Sequence, residues 1–215
     1  MPLALVSDIH GNDTALAAVV AELERLEIDQ VVCLGDAVQR GDQPREVLDR
    51  LSALGWPVIL GNADDFLLEV PDDSPESITE AQLERRRWTL SQLESHHLEQ
   101  IRSFAPTLDI ELDGGLTLRA FHGSPQSYDD VLLPETSDAQ AEQRWGGSGV
   151  DLLAGGHTHL QWTRTVDGAL YVNPGSVGFA YDRFDDDPQP VSVAEFAIVT
   201  GGSVEFRRLP WQNAS

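Results

Sequence analysis

From Leu3 to Leu60, short apolar runs alternate with stretches whose apolar positions recur every three or four residues. Leu3–Ser7 reads as a strand. A helix is predicted over about Thr14–Leu26, with Leu16, Val19, Val20, Leu23 and Leu26 on one face and Asn12 or Asp13 as its cap. Gln30–Leu34 reads as a second strand ending at Gly35-Asp36. Pro44 opens a second helix to about Leu54, and Pro57–Leu60 is a third strand running into Gly61-Asn62. Such alternation predicts parallel pairing through helical crossovers. In open α/β sheets, ligands bind just beyond the carboxyl ends of the strands.

The pattern changes twice more. Asp64–Ala105 is rich in glutamate, glutamine and arginine and reads as a helical insertion lying beside the site edge as a cap. Thr79 and Ser95 are its N-cap signals and Pro106 its stop. Trp88, Leu90, Leu93, Leu98 and Ile101 are the candidate apolar face, while Arg85-Arg86-Arg87, His96 and His97 read as solvated. From Thr107 onward strands dominate: Thr107–Leu112, Leu116–His122, Val150–Gly155, Ala169–Asn173, Val191–Thr200 and Ser203–Arg208. Asp113-Gly114 and Gly201-Gly202 read as hairpin turns. A helix is expected at Asp138–Trp145, capped by Ser137, and a solvated loop at Asp182–Pro190, including Asp185-Asp186-Asp187. The whole reads as one α/β domain over residues 1–215, interrupted by the insertion at about 64–105.

Composition narrows the partners. The formal charge is −22, and the 14 basic residues are all arginine. Lysine-based Schiff-base and P-loop chemistry are therefore excluded. An acidic surface argues against duplex nucleic acid and anionic membranes, which are held by basic side chains. Cys33 is the only cysteine, so no intrachain disulfide forms, and its apolar run makes it a core residue. The opening residues show no basic leader or long apolar run, so cytoplasmic residence is expected; homo-oligomer formation stays open.

Five short segments put potential metal ligands beside glycine: Ser7-Asp8-Ile9-His10-Gly11-Asn12, Gly35-Asp36, Gly61-Asn62-Ala63-Asp64, Phe121-His122-Gly123 and Gly155-Gly156-His157-Thr158-His159. Singly, His122 reads as a strand-end histidine and Asp36 as a loop cap. Together they supply two aspartates, one asparagine and four histidines. That set suits two hard-to-borderline cations sharing a bridging carboxylate.

The ordered segments resemble the calcineurin-like metallophosphoesterase superfamily, particularly its compact bacterial and archaeal branch, from Asp8 to the Asn173-Pro174-Gly175-Ser176 turn. The resemblance implies a four-layer αββα sandwich with a two-metal centre on its loops. It assigns Asp8, His10 and His159 to one metal, Asn62, His122 and His157 to the other, and Asp36 to both. Oxygen and imidazole ligands without thiolate favour manganese, iron, zinc, nickel or cobalt over iron–sulfur or structural zinc; manganese is the first expectation for the pair. The implied reaction is hydrolysis of a small-molecule phosphate ester by a hydroxide that the metals bridge and activate.

One position departs from the family pattern. Many members carry a histidine after Gly-Asn, oriented by the acid that follows, to protonate the leaving group. Here that residue is Ala63, and Asp64 lacks its imidazole. Asp64 and Asn12 are the remaining candidate catalytic residues, Asn12 as a phosphate contact or a helix cap. General acid catalysis contributes about 10²–10⁴-fold, so its loss favours phosphodiesters or esters with good leaving groups. The alternatives are a phosphomonoesterase acting on a nucleotide, metabolite or phosphoprotein, and a non-catalytic metal-binding interaction module of the same fold.

Overall fold

In the computed structural model of the chain, the described residues are 1–69, 78–181 and 189–212. Two sheets form the centre. The first runs β2-β1-β8-β9 and the second β3-β4-β5-β7-β6. The first sheet comprises β1 (Leu3–Val6), β2 (Gln30–Cys33), β8 (Val193–Thr200) and β9 (Ser203–Pro210). The second comprises β3 (Leu108–Glu111), β4 (Thr117–Ala120), β5 (Leu152–Ala154), β6 (Gln161–Val166) and β7 (Ala169–Pro174). β1 and β2 are parallel, as are β4, β5 and β7, while β8, β9, β3 and β6 join antiparallel.

The period of two along each strand sorts side chains into layers. Leu3 and Leu5 of β1, with Ala197 and Val199 of β8, face Leu118, Ala120, Leu152 and Val172 between the sheets. Ala4 and Val6 point the other way, onto Leu16, Val19 and Leu23 of α1 (Asp13–Arg25) and Val47, Leu48 and Leu51 of α2 (Pro44–Leu54). Beyond the second sheet, Leu153 and Tyr171 pack on Ala141 and Trp145 of α6 (Asp138–Trp145). The result is the αββα sandwich. Burial on both faces explains why β1 and β2 read as unbroken apolar runs.

The segment after Gly61 forms α3 (Asn62–Leu68), α4 (Glu80–Gln92) and α5 (Ser95–Arg102). Leu67, Ile101, Leu90, Leu93 and Leu98 close onto the core shared with α2. Trp88 differs from expectation and stays 42% exposed. Arg86 is not a free surface charge either, since its guanidinium donates to the Phe66 and Leu67 carbonyls at the end of α3. Thr79 caps α4, whereas Glu94, one residue before the expected Ser95, precedes α5.

His97 is also a correction, being buried rather than solvated. Its Nδ1 accepts the Glu94 amide at 3.0 Å, so the ring proton lies on Nε2, 3.1 Å from Asp49 Oδ1. The neighbouring His96 ring is 3.9 Å away, centroid to centroid. Asp49 and the Glu94 amide thus hold His97 at the start of α5, with its Nδ1 lone pair already in use.

Two strands differ from expectation. Pro57–Leu60 contributes only single parallel bridges at Val58 and Ile59. β6 was not anticipated because its polar and apolar residues are mixed at an edge. Its signal is the Asp167-Gly168 turn to β7, with φ of 47° and 83°, the primed-turn geometry of a two-residue hairpin. The expected loop segment 182–188, with Asp185-Asp186-Asp187, lies outside the described residues. Among the described residues no helix is long and apolar enough to cross a membrane. Cys33 is buried, and burial pushes its thiol well above the ordinary range.

The Trp145 indole donates to the Gly123 carbonyl at 2.9 Å, tying the outer helix to the loop after β4. Trp145→Phe removes that donor and leaves a buried carbonyl unpaired, which costs about 1–3 kcal/mol. Urea denaturation should show a lower midpoint with an unchanged slope; an unchanged midpoint would contradict this role.

Candidate metal centre

Five parallel-strand ends and one helix start converge on one edge of the sandwich. Asp8 and His10 follow β1, Asp36 follows β2, His122 follows β4, and His157 and His159 follow β5. Asn62 is the first residue of α3, and the turn after β7 closes the edge. The chain is bent sharply at these places. Asp8, His10, Asp36, His157 and His159 have φ of 54°, 50°, 52°, 69° and 56°. A non-glycine residue in this left-handed region costs of order 1–2 kcal/mol. Five such residues at one edge indicate a backbone held in place by its surroundings.

The bends are enforced locally. A Cβ at Gly61 would overlap Asp36 Oδ1, and one at Gly156 would overlap Ser7 Oγ. Asp64 is enclosed and accepts from the amides of Ala37 at 3.0 Å and Val38 at 3.1 Å, holding the turn after Asp36. Burial and the Asp36 charge push its carboxyl up to about 7, while those amides pull the other way. Asn12 is equally engaged: its Oδ1 caps α1 at Ala15 N, and its Nδ2 donates to Gly178 O.

Six of the seven expected ligand residues come together in two groups, and the seventh, Asn62, sits beside the second. Asp8, His10 and His159 form one, and Asp36, His122 and His157 the other, each with ligand atoms within 4.8 Å of one another. Asn62 Oδ1 lies 3.1 Å from His122 Nε2. Asp36 stands between the groups, its Oδ2 3.9 Å from His10 Nε2 and 3.5 Å from His122 Nε2, while its Oδ1 accepts the Ala63 amide.

Proton positions test whether this donor set fits cations. His10, His122 and His159 each direct Nδ1 at a backbone carbonyl, of Gln39, Leu34 and Phe179. A carbonyl only accepts, so Nδ1 carries the proton and a neutral ring turns its Nε2 lone pair inward. The His10 and His159 Nε2 atoms face each other at 3.0 Å. Asp8 Oδ1 and His157 Nδ1 are buried without a hydrogen-bond partner among the described residues. Converging lone pairs and orphaned acceptors fit bound cations, and the carbonyl contacts are the outer bonds that orient metal-binding imidazoles.

The electrostatics agree. Burial alone would raise the Asp8 carboxyl, but His159, His122 and His10 hold it well below the usual range. Burial works the same way on Asp36, and His122 and His10 bring it down to about 2. Burial disfavours the His122 imidazolium, yet Asp36 and Asp8 outweigh this and raise it to about 10. His159 is raised by Asp8 against its burial, whereas burial lowers His10 to about 4.

Several residues at this edge were given no role from the sequence. Ser7 Oγ donates to Asp8 Oδ2 at 2.6 Å, and Ser176 Oγ donates to the Asp8 carbonyl at 2.8 Å. Asn173, fully buried, donates to Gly156 O and Thr158 Oγ1, bracing the His157–His159 loop. Phe179 and Tyr181 pack on His159, with ring centroids 6.0 and 5.8 Å away. The Arg40 guanidinium lies 4.3 Å over Phe179, on a residue whose φ is 115°. Small hydroxyl and amide residues beside the five segments were the available signal. Which carbonyl or carboxylate they reach depends on the tertiary fold.

An αββα sandwich with paired imidazole–carboxylate groups at its parallel strand ends has the architecture of a metallophosphoesterase. The chain belongs to the calcineurin-like phosphoesterase superfamily, whose domain profile matches residues 1–200. It is 25% identical over 183 residues to an uncharacterised protein of Methanocaldococcus jannaschii, covering 84% of this chain and 72% of that one. A hypothetical protein from Pyrococcus horikoshii superposes with a TM-score of 0.81 at 21% identity, covering 98% of this chain and 88% of the other. A metallophosphoesterase from Sphaerobacter thermophilus gives 0.74 at 24% identity, covering 99% and 90%.

Two measurements test the centre as a cation site. A cation that binds only the folded chain at a thousandfold excess over Kd adds about 4 kcal/mol, or roughly 8–16 °C in Tm for a domain of this size. Chelation should remove that increment. At neutral pH an entering cation must also expel the proton that Asp36 holds on His122. Apparent affinity should therefore rise with pH, by about tenfold per unit for one displaced proton between about pH 6 and 9. Calorimetry showing no proton release and flat affinity would contradict the assignment.

Proposed function

We propose that the protein is a two-metal-dependent phosphoesterase acting on small-molecule phosphate esters, favouring phosphodiesters and esters with acidic leaving groups. The observation that carries this reading is a pairing of features at one edge. Seven side chains converge with their acceptor atoms facing inward, while the residue after Asn62 is Ala63, which cannot move a proton.

Asp8, His10 and His159 would hold one cation, Asn62, His122 and His157 the second, with Asp36 serving both. Such ions supply positive charge for the phosphoryl oxygens and acidify water to a usable nucleophile. Manganese is the proposed pair, with iron, zinc, nickel or cobalt as alternatives. The remaining residues position these groups. Asp64 holds the Asp36 turn through the Ala37 and Val38 amides. Asn12 holds the start of α1. Arg40 has no acid partner among the described residues and lies near enough to depress His10, a position from which it can meet an anionic oxygen. With a chain charge of −22, the attraction for an anionic ester is confined to this edge. The proposed location is the cytoplasm.

A second reading is a non-catalytic binding module of the same fold, which the lost donor at position 63 favours. The two part on one experiment. Metal-loaded protein should hydrolyse a bis-aryl phosphodiester, and Asp36→Asn should reduce turnover to background. Absence of metal-dependent turnover would favour the binding module. Across a graded ester series, aryl substrates should be cleaved far faster than alkyl ones, and Ala63→His should raise alkyl turnover; comparable rates would refute the missing-acid account. Moderate non-coordinating salt should raise kcat/KM for anionic substrates by screening the surface charge, and a steep fall would contradict it.

A further inference from the structure

The segment after the turn at 173–176 brings two aromatic side chains against the metal edge. Its backbone is clamped to the loop after β1: Val177 N donates to Ser7 O and Gly178 N to Asp8 O, and a Cβ at Gly178 would overlap Ile9 O. Phe179 is held on both sides, its amide donating to Ser176 Oγ and its carbonyl accepting from His159 Nδ1, each at 2.8 Å. The Phe179 ring stands edge-on to His10 and His159, with centroids 6.2 and 6.0 Å away. Tyr181 lies at 27° to the His159 ring, 5.8 Å away, and meets Phe179 at 5.4 Å in a T. A bridge to Pro190 holds the Tyr181 backbone.

Arg40 reaches the same place from the loop after β2, its guanidinium lying over the Phe179 ring. Its φ of 115° is a strained value for any residue with a side chain, and neighbours hold it there. Arg85 of α4 donates to Arg40 O at 2.8 Å, and Gly41 N donates to His10 O. Strain of this kind persists where the surroundings over-determine it, and it gathers at ligand sites. Arg40 is exposed, and Phe179 and Tyr181 are half-buried. Among the described residues, neither the Arg40 guanidinium nor the Tyr181 hydroxyl has a hydrogen-bond or ion-pair partner. Rings serving only to support His159 would need no open surface. An exposed guanidinium and part-open rings instead make a wall on which a flat π-system can stack.

We infer that Arg40, Phe179 and Tyr181 form a subsite for a flat aromatic group bonded directly to the ester oxygen, which makes phenolic phosphate esters the substrate class. This rests on the phosphoesterase reading above and names its leaving group. Both rings touch His159, one of the proposed metal ligands, so the group they meet lies close to the phosphorus. A nucleobase, held a whole sugar away from its phosphate, would lie beyond them. The chemistry matches the deficit at Ala63. A phenol has a pKa of about 10, so its oxygen departs as a phenolate without a donor at position 63. Water supplies the oxygen of the new P–O bond and releases a proton to solvent. The broken bond leaves its electron pair on the phenolic oxygen, which takes a proton from solvent in turn.

The test is direct binding to the metal-loaded protein by calorimetry, with two phosphonates that cannot be hydrolysed. Benzylphosphonate mimics phenyl phosphate; cyclohexylmethylphosphonate has the same charge and a saturated ring. Wild type should bind the benzyl compound about fivefold more tightly or better, within the range of one aromatic contact. Tyr181→Leu should bring that ratio below about twofold with metal content unchanged, and Tyr181→Phe should keep it. Equal binding of both compounds by wild type, or a ratio that Tyr181→Leu leaves unmoved, would overturn the subsite. So would a Tyr181→Leu protein that loses metal while keeping the ratio, since that is support of His159 alone. A preference for thymidine 5′-methylphosphonate over its abasic analogue, without one for the benzyl ring, would assign the wall to a nucleobase and overturn the phenolic class. If the metal-loaded protein binds neither phosphonate nor inorganic phosphate, the phosphoesterase reading fails and takes the subsite with it.

Discussion

Two carboxylates, Asp8 and Asp36, are held almost wholly out of water at the ends of β1 and β2, and much of the surrounding structure keeps them there. Burying a carboxylate without compensation is strongly unfavourable. Here the compensation is a ring of imidazoles, a serine hydroxyl and backbone amides: Ser7 and the His157 amide on Asp8, the Ala63 amide on Asp36. Even so, Asp8 Oδ1 has no hydrogen-bond partner among the described residues. That leftover acceptor, set among imidazoles, fits a bound cation.

That requirement explains the geometry of the loops. Ligands from β1, β2, β4 and β5 must all point at one spot, and several can do so only with left-handed backbone. The strain is met by short hydrogen bonds across loops: Asp8 N to Gly35 O, His10 N to Asp36 O and Gly156 N to His122 O. Asp64 and Asn173 act as buried polar braces between loops. Rigid sheets beneath and braced loops above are what pre-organise such a centre.

Much of this was legible in the sequence. The five glycine-flanked segments identified the seven converging positions because local spacing already places Asp8 with His10 and His157 with His159. Two sheets flanked by helices followed from runs such as Leu3–Val6 and helices such as α1 with one apolar stripe, while the four-layer αββα order was what the family resemblance implied. Less legible was whatever depends on contacts distant in sequence. His97 reads as a polar helix residue, yet its burial comes from Asp49 on α2 and its own helix cap. β6 has no apolar run because it is an edge strand, and the third expected strand shrank to two bridges. Trp88 carries an apolar residue's signature on α4 yet stays 42% exposed.

The sequence by itself determined the candidate ligand types, their order and the alanine at position 63, since these are properties of residues and of spacings within one turn of chain. Only the tertiary structure decided the rest: that Asp36 stands between the two groups, that Asp64 serves the Asp36 turn and Asn12 a helix, and that Tyr128 fastens its loop to Asp65 of α3. Those relations join residues separated by tens of positions. Close packing of two sheets sets them, and no local pattern encodes which carbonyl or carboxylate a distant side chain will meet.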